Sequence, residues 1–302
     1  MGKGGVRKGA GRPPGTGRFG ERVVQMSVPE SLVPQLNELL TAHAVNAASK
    51  RPVRRLKSDC VLPLPPPGKV RLDGPIGALD QLTRLRDEGT RAAVVMLDPV
   101  YRSPKARGRA SYLSEMLPLI SLAGEIADHV IVWGFPLSVA RLVDHQPPHL
   151  TVETWITWTY KNSANRARSW RGAQQVALHL RRPKAKLHYQ TFLTDQHKEM
   201  HARGKLAYLM TPRDVIIEEP LLSGFIRRNE QTGFRAGQKP LSVLTPLLQM
   251  TAQPGELVID PTAGSGTTGE AAAALGCAAI LSDRSLESLK ISRKRLVACL
   301  TD

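Results

Sequence analysis

Residues 257–268 read Leu-Val-Ile-Asp-Pro-Thr-Ala-Gly-Ser-Gly-Thr-Thr, and this stretch determines the fold that we expect. Its first three residues are apolar and mostly β-branched, which is typical of a parallel strand covered on both faces. The strand ends at Asp260 and is followed by a turn in which Gly264 and Gly266 allow tight backbone geometry. A helix directly after this turn would offer its unpaired N–H groups to a ligand.

The segment that follows the turn completes a strand-helix-strand unit. An Ala-rich helix is predicted from about Thr267 and stops at Gly276, which is a good C-terminal cap. A second apolar strand, Ala278 to Leu281, leads to Asp283, about 20 residues beyond the turn, where such folds bind ribose hydroxyls. Because Gly269 also fits the G-x-G-x-x-G spacing, the glycines alone leave a dinucleotide open as the ligand.

A second special turn follows another apolar run far upstream. Ala92–Leu97 ends at an acid, Asp98, and catalytic groups in open α/β sheets lie at the carboxyl ends of strands. Pro99 fixes its φ angle and presents its carbonyl at a defined angle, and Tyr101 offers a flat aromatic face. A carboxylate, a carbonyl and a stacking ring suit the exocyclic amine of an unstacked nucleobase. This turn therefore favours a base-modifying site over a dinucleotide site.

These turns resemble the two motifs of the DNA amino-methyltransferases that use S-adenosylmethionine. In that family, Asp/Ser/Asn-Pro-Pro-Tyr/Phe binds the target amine and Asp-Pro-Phe-Ala-Gly-Ser-Gly-Thr-Thr binds the cofactor. This chain has Asp-Pro-Val-Tyr at 98–101 and Asp-Pro-Thr-Ala-Gly-Ser-Gly-Thr-Thr at 260–268. Gln-Lys-Pro at 238–240 matches the family's helix start beside the methionine part of the cofactor. The order of the motifs resembles the β subclass, while Val100 replaces a proline and Thr262 replaces a phenylalanine.

The resemblance implies both a fold and a reaction. The fold is α/β, a Rossmann-like methyltransferase sheet with helices on both faces, plus a small basic N-terminal module. The reaction is site-specific transfer of a methyl group from S-adenosylmethionine to the exocyclic amine of a flipped DNA base. The aspartate at position 98 favours adenine N6, and cytosine N4 stays open. Two further functions also stay open, namely a non-catalytic DNA-binding regulator built on the same fold and an RNA methyltransferase.

The resemblance also assigns roles to individual residues. Asp98 and the Pro99 carbonyl would hold the amine, and Tyr101 would stack on the base. The residues assigned to S-adenosylmethionine are Asp260, Thr262, Gly264, Ser265, Gly266, Thr267, Asp283, Lys239 and Asp73. Because direct methyl transfer from a sulfonium needs no metal, we expect no metal site.

The positive charge is concentrated in two segments. The net charge is +16, with 12 Lys and Arg against 4 acids in residues 1–70 and 10 against 2 in residues 161–203. Two basic segments on a neutral body indicate binding to nucleic acid, and the resemblance makes double-stranded DNA the expected partner. The residues that we expect to contact DNA are Arg12, Lys161, Arg166, Arg168, Arg171, Arg181, Arg182, Lys184 and Lys186.

Composition predicts four parts of the chain. Residues 1–21 are a basic Gly-rich tail without a fold of their own, and residues 22–50 are a strand-helix module for DNA binding or for forming a homodimer. Residues 51–69 are a Pro-rich linker. The methyltransferase domain spans 70–302, with a target-recognition insert at about 162–213.

Further elements predicted in this domain are strands at His129–Trp133 and Val152–Trp158 and helices at Ser111–Ile126 and Ser285–Leu300.

The cysteines exclude one related mechanism. Cys60, Cys277 and Cys299 follow Asp, Gly and Ala, whereas the nucleophile of the C5-cytosine enzymes follows a proline. They form no metal or disulfide spacing, which fits a reducing cytosol. The resemblance implies a bacterial cytoplasm in which the protein associates with the nucleoid. We expect no membrane segment. The family context leaves open whether a cognate restriction enzyme is a partner.

Overall fold

The structure is a computed structural model. It describes residues 63–99, 106–161, 172–208, 211–217 and 237–301, together with Pro29, Ser31 and Leu36. The internal contacts of the chain divide it into two units, residues 1–56 and 57–302. Apart from those three residues, the predicted tail and strand-helix module lie outside the described residues, so their boundaries stay predictions.

The second unit is an alternation of strands and helices. Its strands are β1 (Val70–Asp73), β2 (Ala92–Leu97), β3 (Ala127–Gly134), β4 (Thr151–Thr159), β5 (Gln174–Arg181), β6 (Val215–Ile216), β7 (Leu257–Asp260) and β8 (Ala278–Ser282). Its α-helices are α1 (Ala78–Asp87), α2 (Ala106–Ile126), α3 (Pro136–Val139), α4 (Asp195–Ala202), α5 (Leu241–Thr251), α6 (Thr267–Ala274) and α7 (Leu286–Leu296). Two short 3-10 helices span Ala140–Leu142 and Tyr189–Phe192.

All eight strands belong to one sheet in the order β1-β8-β7-β2-β3-β5-β4-β6. The first five strands in this order are parallel to one another, so their carboxyl ends share one edge, called the carboxyl edge below. β5 runs antiparallel to both β3 and β4. The β4–β5 hairpin therefore connects its two strands at the carboxyl edge, while β5 ends at the opposite edge of the sheet.

Helices cover both faces of this sheet, as the resemblance implies. Val94 and Met96 of β2 are fully buried in a core cluster that includes residues of α5 and α6. Val95 and Leu97 point to the other face because successive side chains of a strand alternate, and they are fully buried as well. Burial on both faces explains why β2 reads as a continuous apolar run rather than an alternating one.

The predicted strands and helices are confirmed, with differences at their ends. Of the two predicted amphipathic helices, α2 begins earlier, at Ala106, and α7 ends earlier, at Leu296. The expected insert at about 162–213 is not continuous, because Gln174–Arg181 forms β5 in the interior of the sheet. No helix in the described part of the chain is long and apolar enough to cross a membrane.

Candidate active site

The two turns singled out in the sequence meet at the carboxyl edge. β2 and β7 are neighbours, with Val95 opposite Ile259, and the same register extended by three residues puts Asp98 beside Thr262. β8 lies on the other side of β7, so Asp283 follows directly at the same edge. Residues that are more than 160 positions apart in the sequence therefore form one site.

Thr262 joins the two turns through its hydroxyl group. The backbone N–H of Asp98 donates to Thr262 Oγ1 over 2.8 Å. The hydroxyl group in turn donates to Asp260 Oδ1 over 3.0 Å, and the backbone N–H of Thr262 donates to the same oxygen over 2.9 Å. The threonine that replaces the family's phenylalanine thus makes a polar bridge between the two motifs.

Asp260 is the buried centre of the cofactor turn. Its other oxygen, Oδ2, accepts a 2.6 Å hydrogen bond from the hydroxyl group of Thr268. Burial raises the pKa of Asp260 to about 6, and the negative charge of Asp98 adds to this effect, while the hydrogen bonds from Thr268 and Thr262 oppose it. Three donated hydrogen bonds therefore only partly offset the cost of burying this carboxylate.

Lys239 lies directly before Pro240, the N-cap residue of α5, and its side chain is only 3% exposed. Its ammonium group forms an ion pair with Asp98 and lies 4.8 Å above the ring of Trp133. Burial lowers the pKa of Lys239, whereas the negative charges of Asp98 and Asp260 raise it. The resemblance predicts that Lys239 contacts the cofactor, and the structure adds a direct contact with the carboxylate expected to hold the amine.

The backbone of the glycine turn is held by the end of β8. The N–H of Gly264 donates to Asp283 Oδ2 over 3.0 Å, and the N–H of Ser285 donates to Asp283 Oδ1 over 2.8 Å. Gly266 has a φ of 80°, and a Cβ there would lie 3.1 Å from the Oγ of Ser292, so both its conformation and its surroundings require glycine. It precedes α6 without a side-chain cap, which leaves the first N–H groups of that helix available to a ligand.

This arrangement fits S-adenosylmethionine. Two backbone donors fix the Asp283 carboxylate, which retains lone pairs for ribose hydroxyls. The hydroxyl groups of Ser265 and Thr267 lie 3.1 Å apart at the start of α6. The residues present would therefore offer a carboxylate, hydroxyl groups and helix N–H groups around one turn.

Asp73 ends β1 beside Ser282 of β8, one residue before Asp283. Its carboxylate is buried and binds the guanidinium groups of Arg71 and Arg84, with a further 3.0 Å hydrogen bond from Gln81. Asp73 is thus next to the cofactor turn but already engaged by three side chains. Its predicted contact with the cofactor stays a prediction.

The catalytic turn is described only in its first half. Asp98 and Pro99 are half-buried at the end of β2, while Tyr101 lies outside the described residues. Sequence reasoning missed one neighbour of this turn, Tyr112 of α2, whose hydroxyl group donates to the carbonyl of Trp133 over 3.1 Å. Burial and the charge of Asp98 raise the pKa of Tyr112 above its ordinary value, so this phenol stays protonated. No feature of the sequence around Tyr112 indicates this contact.

Among the residues predicted to contact DNA, those that the structure describes lie at two different edges of the sheet. Lys161 is exposed just after β4, at the carboxyl edge, where the β4–β5 connection begins. Arg181 pairs with His129 near the start of β3, about 23 Å along β5 from Gln174 at roughly 3.3 Å per residue. The exposed Lys184 and Lys186 follow Arg181. Four predicted contacts, namely Arg12, Arg166, Arg168 and Arg171, lie outside the described residues.

Arg181 and Arg182 also have partners within the protein. Arg181 forms an ion pair with Glu153 of β4 and donates to the Ala185 carbonyl over 3.0 Å. Arg182 donates to the carbonyls of Gly124 and Glu125 over 2.8 and 2.9 Å, at the last turn of α2. A cation at this position satisfies carbonyls that a helix end leaves unpaired. Both arginines therefore stabilise the fold, and their contact with DNA stays a prediction.

Comparisons with known proteins agree with this architecture. Residues 89–294 match the N6/N4 methylase family, described as DNA methylase. A 61-residue part of the chain is 44% identical to the Type II methyltransferase M2.DpnII of Streptococcus pneumoniae. The matched part is 20% of this chain and 23% of that protein. The chain thus matches about a quarter of the length of that curated relative.

Solved structures share the fold. The complex of M1.HpyAVI with SAM has a TM-score of 0.54 at 20% identity, over 75% of this chain and 98% of that one. The cytosine-N4-specific PvuII DNA methyltransferase has a TM-score of 0.54 at 13% identity, over 76% and 89%. At these identities the likeness concerns the fold alone.

Proposed function

The chain belongs to the N6/N4 family of DNA methylases, and from this premise we propose that it methylates the N6 amine of adenine at a specific DNA sequence. S-adenosylmethionine, the cofactor of this family, supplies an electrophilic methyl group on a sulfonium. The observation that carries the proposal is the position of Asp98, which follows β2 at the carboxyl edge and contacts both Thr262 and Lys239. A hydrogen-bond acceptor for the base is thereby joined to the cofactor turn.

The chemistry that these residues support is positioning for direct transfer. The Asp98 carboxylate and the Pro99 carbonyl would each accept one hydrogen of the amine, which leaves the nitrogen lone pair out of the plane of the base. Tyr101 would stack on the flipped base. Holding the amine nitrogen and the methyl carbon in the correct relative position raises the rate, because the two atoms then react without a separate bimolecular encounter.

Charge balance at the site supports the same assignment. The nitrogen gains positive charge as it attacks the methyl carbon, and a carboxylate in hydrogen-bond contact stabilises that charge. Asp98 would therefore hold the amine more strongly in the transition state than in the ground state. The ion pair with Lys239 orients this carboxylate before the base arrives.

The choice of base is a finer inference. An aspartate at position 98 favours adenine N6 within this family, where a serine is more common for cytosine N4. Lys161 and the β4–β5 connection at the carboxyl edge are the part of the chain that we infer meets the DNA beside the flipped base. Residues after β5 would contact the DNA only if the DNA extends to the opposite edge of the sheet.

The experiment that tests this function is nucleoside mass spectrometry of DNA from a methylation-free host that expresses the chain. We expect N6-methyladenine with the wild-type chain and none with Asp98→Asn, which keeps the shape of the side chain but not its charge. Asp128→Asn is the matched control, because Asp128 is 51% exposed at the start of β3 and pairs with Arg91 at the surface.

Each outcome of that experiment is decisive. N4-methylcytosine would keep the mechanism and overturn the choice of base. If neither mark appears although the wild-type protein is folded and binds DNA, the enzymatic proposal is overturned in favour of the DNA-binding regulator. Equal methylation by wild type and Asp98→Asn would remove Asp98 from its proposed role.

A further inference from the structure

Thr262 occupies a position where the resembling family has phenylalanine, and its hydroxyl group points to the neighbouring turn. Oγ1 lies 2.8 Å from the backbone nitrogen of Asp98 and 3.0 Å from Oδ1 of Asp260. We propose that Thr262 is a positioning residue whose hydroxyl group transmits the order of the cofactor turn to Asp98. This inference rests on the proposed function, since it gives Asp98 the role of holding the amine.

The direction of each hydrogen bond follows from the donors available. A hydroxyl group has one hydrogen and two lone pairs. The N–H of Asp98 can only donate, so Thr262 Oγ1 is the acceptor there and its own hydrogen is available to the carboxylate of Asp260. Neither valine nor phenylalanine could replace this dual contact.

The side chain of Asp260 is in turn held by a residue of α6. Its Oδ2 accepts from the hydroxyl group of Thr268, in the first turn of α6, and the carboxylate is 2% exposed. A continuous path of hydrogen bonds therefore runs from the start of α6 through Asp260 and Thr262 to the backbone of Asp98. Because the path lies within buried or half-buried groups, loss of one member is not readily replaced by water.

The same contact affects the charge of the site. Asp260 has a pKa raised to about 6 by burial, and the hydrogen bonds from Thr262 lower it. The charged groups that face Asp260 are Asp98, which raises its pKa, and Lys239, whose positive charge favours the carboxylate. Removal of the Thr262 hydroxyl group should therefore raise the pKa of the Asp260 carboxyl group further.

The test compares Thr262→Val, which removes the hydroxyl group at nearly constant shape, with Thr262→Ser, which retains it. Thr83→Val is the matched control, because Thr83 is also half-buried and its hydroxyl group bonds the Leu79 carbonyl within α1. Thr262→Ala is measured beside Thr262→Val, so that the loss of the hydroxyl group is examined even if valine disturbs the turn.

Two readouts are independent of methyl transfer. The first is hydrogen exchange of the Asp98 amide in the full chain, which we expect to be at least about fivefold faster in Thr262→Val and Thr262→Ala. The second is calorimetric titration with S-adenosylmethionine, whose dissociation constant we expect to stay at the wild-type value. Thr262→Ser and Thr83→Val should behave as wild type in both measurements.

The kinetic readout is the split between kcat and the affinity for the cofactor. We expect kcat to fall roughly 10- to 100-fold in Thr262→Val, which is the cost of a displaced catalytic group, with Thr262→Ser retaining most of the activity. Wild-type exchange of the Asp98 amide in Thr262→Val would overturn the proposal. A loss of cofactor affinity that accounts for the whole loss of activity would also overturn it and make Thr262 a cofactor contact. Absence of methylation by the wild-type chain would refute only the proposed function, since the exchange measurement still decides whether Thr262 holds Asp98.

Discussion

The ammonium group of Lys239 pairs with the carboxylate of Asp98 across the carboxyl edge, although 141 positions separate them in the sequence. The two partners differ in exposure, since the lysine side chain is 3% exposed and the aspartate side chain 27%. A partly exposed carboxylate can recruit water when its partner is lost, whereas a buried ammonium group cannot do so as readily.

Removal of the two partners should therefore have unequal effects on stability. We expect Asp98→Ala to lower the free energy of unfolding by about 3 kcal/mol and Lys239→Met by only about 1 kcal/mol, as measured by urea unfolding at neutral pH. Asp98→Ala combined with Lys239→Met should recover part of the loss of Asp98→Ala. Equal losses in the two single variants would contradict the asymmetric burial of the pair.

Asp260 should oppose stability at pH values above its raised pKa of about 6. Because its folded pKa is raised to about 6 from 3.8, its contribution to stability is fully present below about pH 4 and is lost as pH rises through 6. The amide oxygen of Asp260→Asn can accept the two hydrogen bonds from Thr262, and its amide nitrogen can donate to Thr268 Oγ1, without a charge. We expect the free energy of unfolding of this variant at pH 8 to exceed that of wild type by about 1 to 3 kcal/mol, because one pKa unit corresponds to about 1.4 kcal/mol.

The gain of Asp260→Asn should shrink as pH falls from 6 to 4, where the wild-type carboxyl is neutral as well. Asp195→Asn, at a carboxylate of α4 that is 97% exposed, is the control for a general change in charge and should show no such trend. Lower stability of Asp260→Asn than wild type at pH 8 would show that the carboxylate contributes more through its hydrogen bonds than its burial costs.

A buried pair of histidines should make the fold sensitive to acid. His129 Nδ1 and His179 Nε2 lie 3.0 Å apart on β3 and β5, and His129 Nε2 lies 3.0 Å from the Lys186 carbonyl. Burial lowers the pKa of His129 to about 4 and that of His179 to about 3. Since the unfolded chain binds protons below about pH 6.5, we expect stability to be constant above that pH and to fall between 6.5 and 3.

The slope of this loss should approach about 1.4 kcal/mol per pH unit for each histidine. His179→Gln removes one titrating group and should reduce the slope of the free energy of unfolding between pH 6 and 5, as measured by urea unfolding at each pH. His145→Gln, at an exposed position, is the matched control. An unchanged slope in His179→Gln would mean that His179 binds its proton as readily in the folded protein as in the unfolded chain.

The two edges of the sheet should contribute unequally to DNA binding. Lys161 lies at the carboxyl edge, whereas Lys184 and Lys186 lie at the opposite edge. We expect Lys161→Gln to weaken binding and to reduce the slope of log affinity against log salt by about 1, the value for one lost phosphate contact. The same change at Lys184 or Lys186 should leave affinity and slope unchanged in a fluorescence anisotropy titration. A larger loss from the latter lysines would reverse the orientation that we infer for the DNA.

Local patterns were sufficient for much of this fold. The runs at Ala92–Leu97 and Ala278–Ser282 are apolar because parallel strands are buried on both faces, and each forms a strand over those residues. The start of α6 at Thr267 also follows from local chemistry, since a turn that contains Gly264 and Gly266 precedes it. Such features depend on a few neighbouring residues, which the sequence displays directly.

Long-range register was not accessible in the same way. The hydrogen bond from the backbone N–H of Asp98 to Thr262 Oγ1 depends on the alignment of β2 with β7, which no local pattern specifies. The residues of β5 fit either a strand or the edge of a helix, because His179 interrupts their apolar pattern. The partner that makes this polar residue compatible with the core, His129, lies on another strand. The resemblance identified the chemistry of Lys239 as important but not the carboxylate that it contacts.

The reversed direction of β5 gives the two ends of the domain different freedom to evolve. A longer connection between β4 and β5 would add to the carboxyl edge, the edge at which Asp98 lies, whereas additions after Arg181 would build on the opposite edge of the sheet. If the carboxyl edge meets the DNA as we propose, growth of this one hairpin would change the surface that the DNA meets, while the strand alignment that holds Asp98 against Thr262 stays constant.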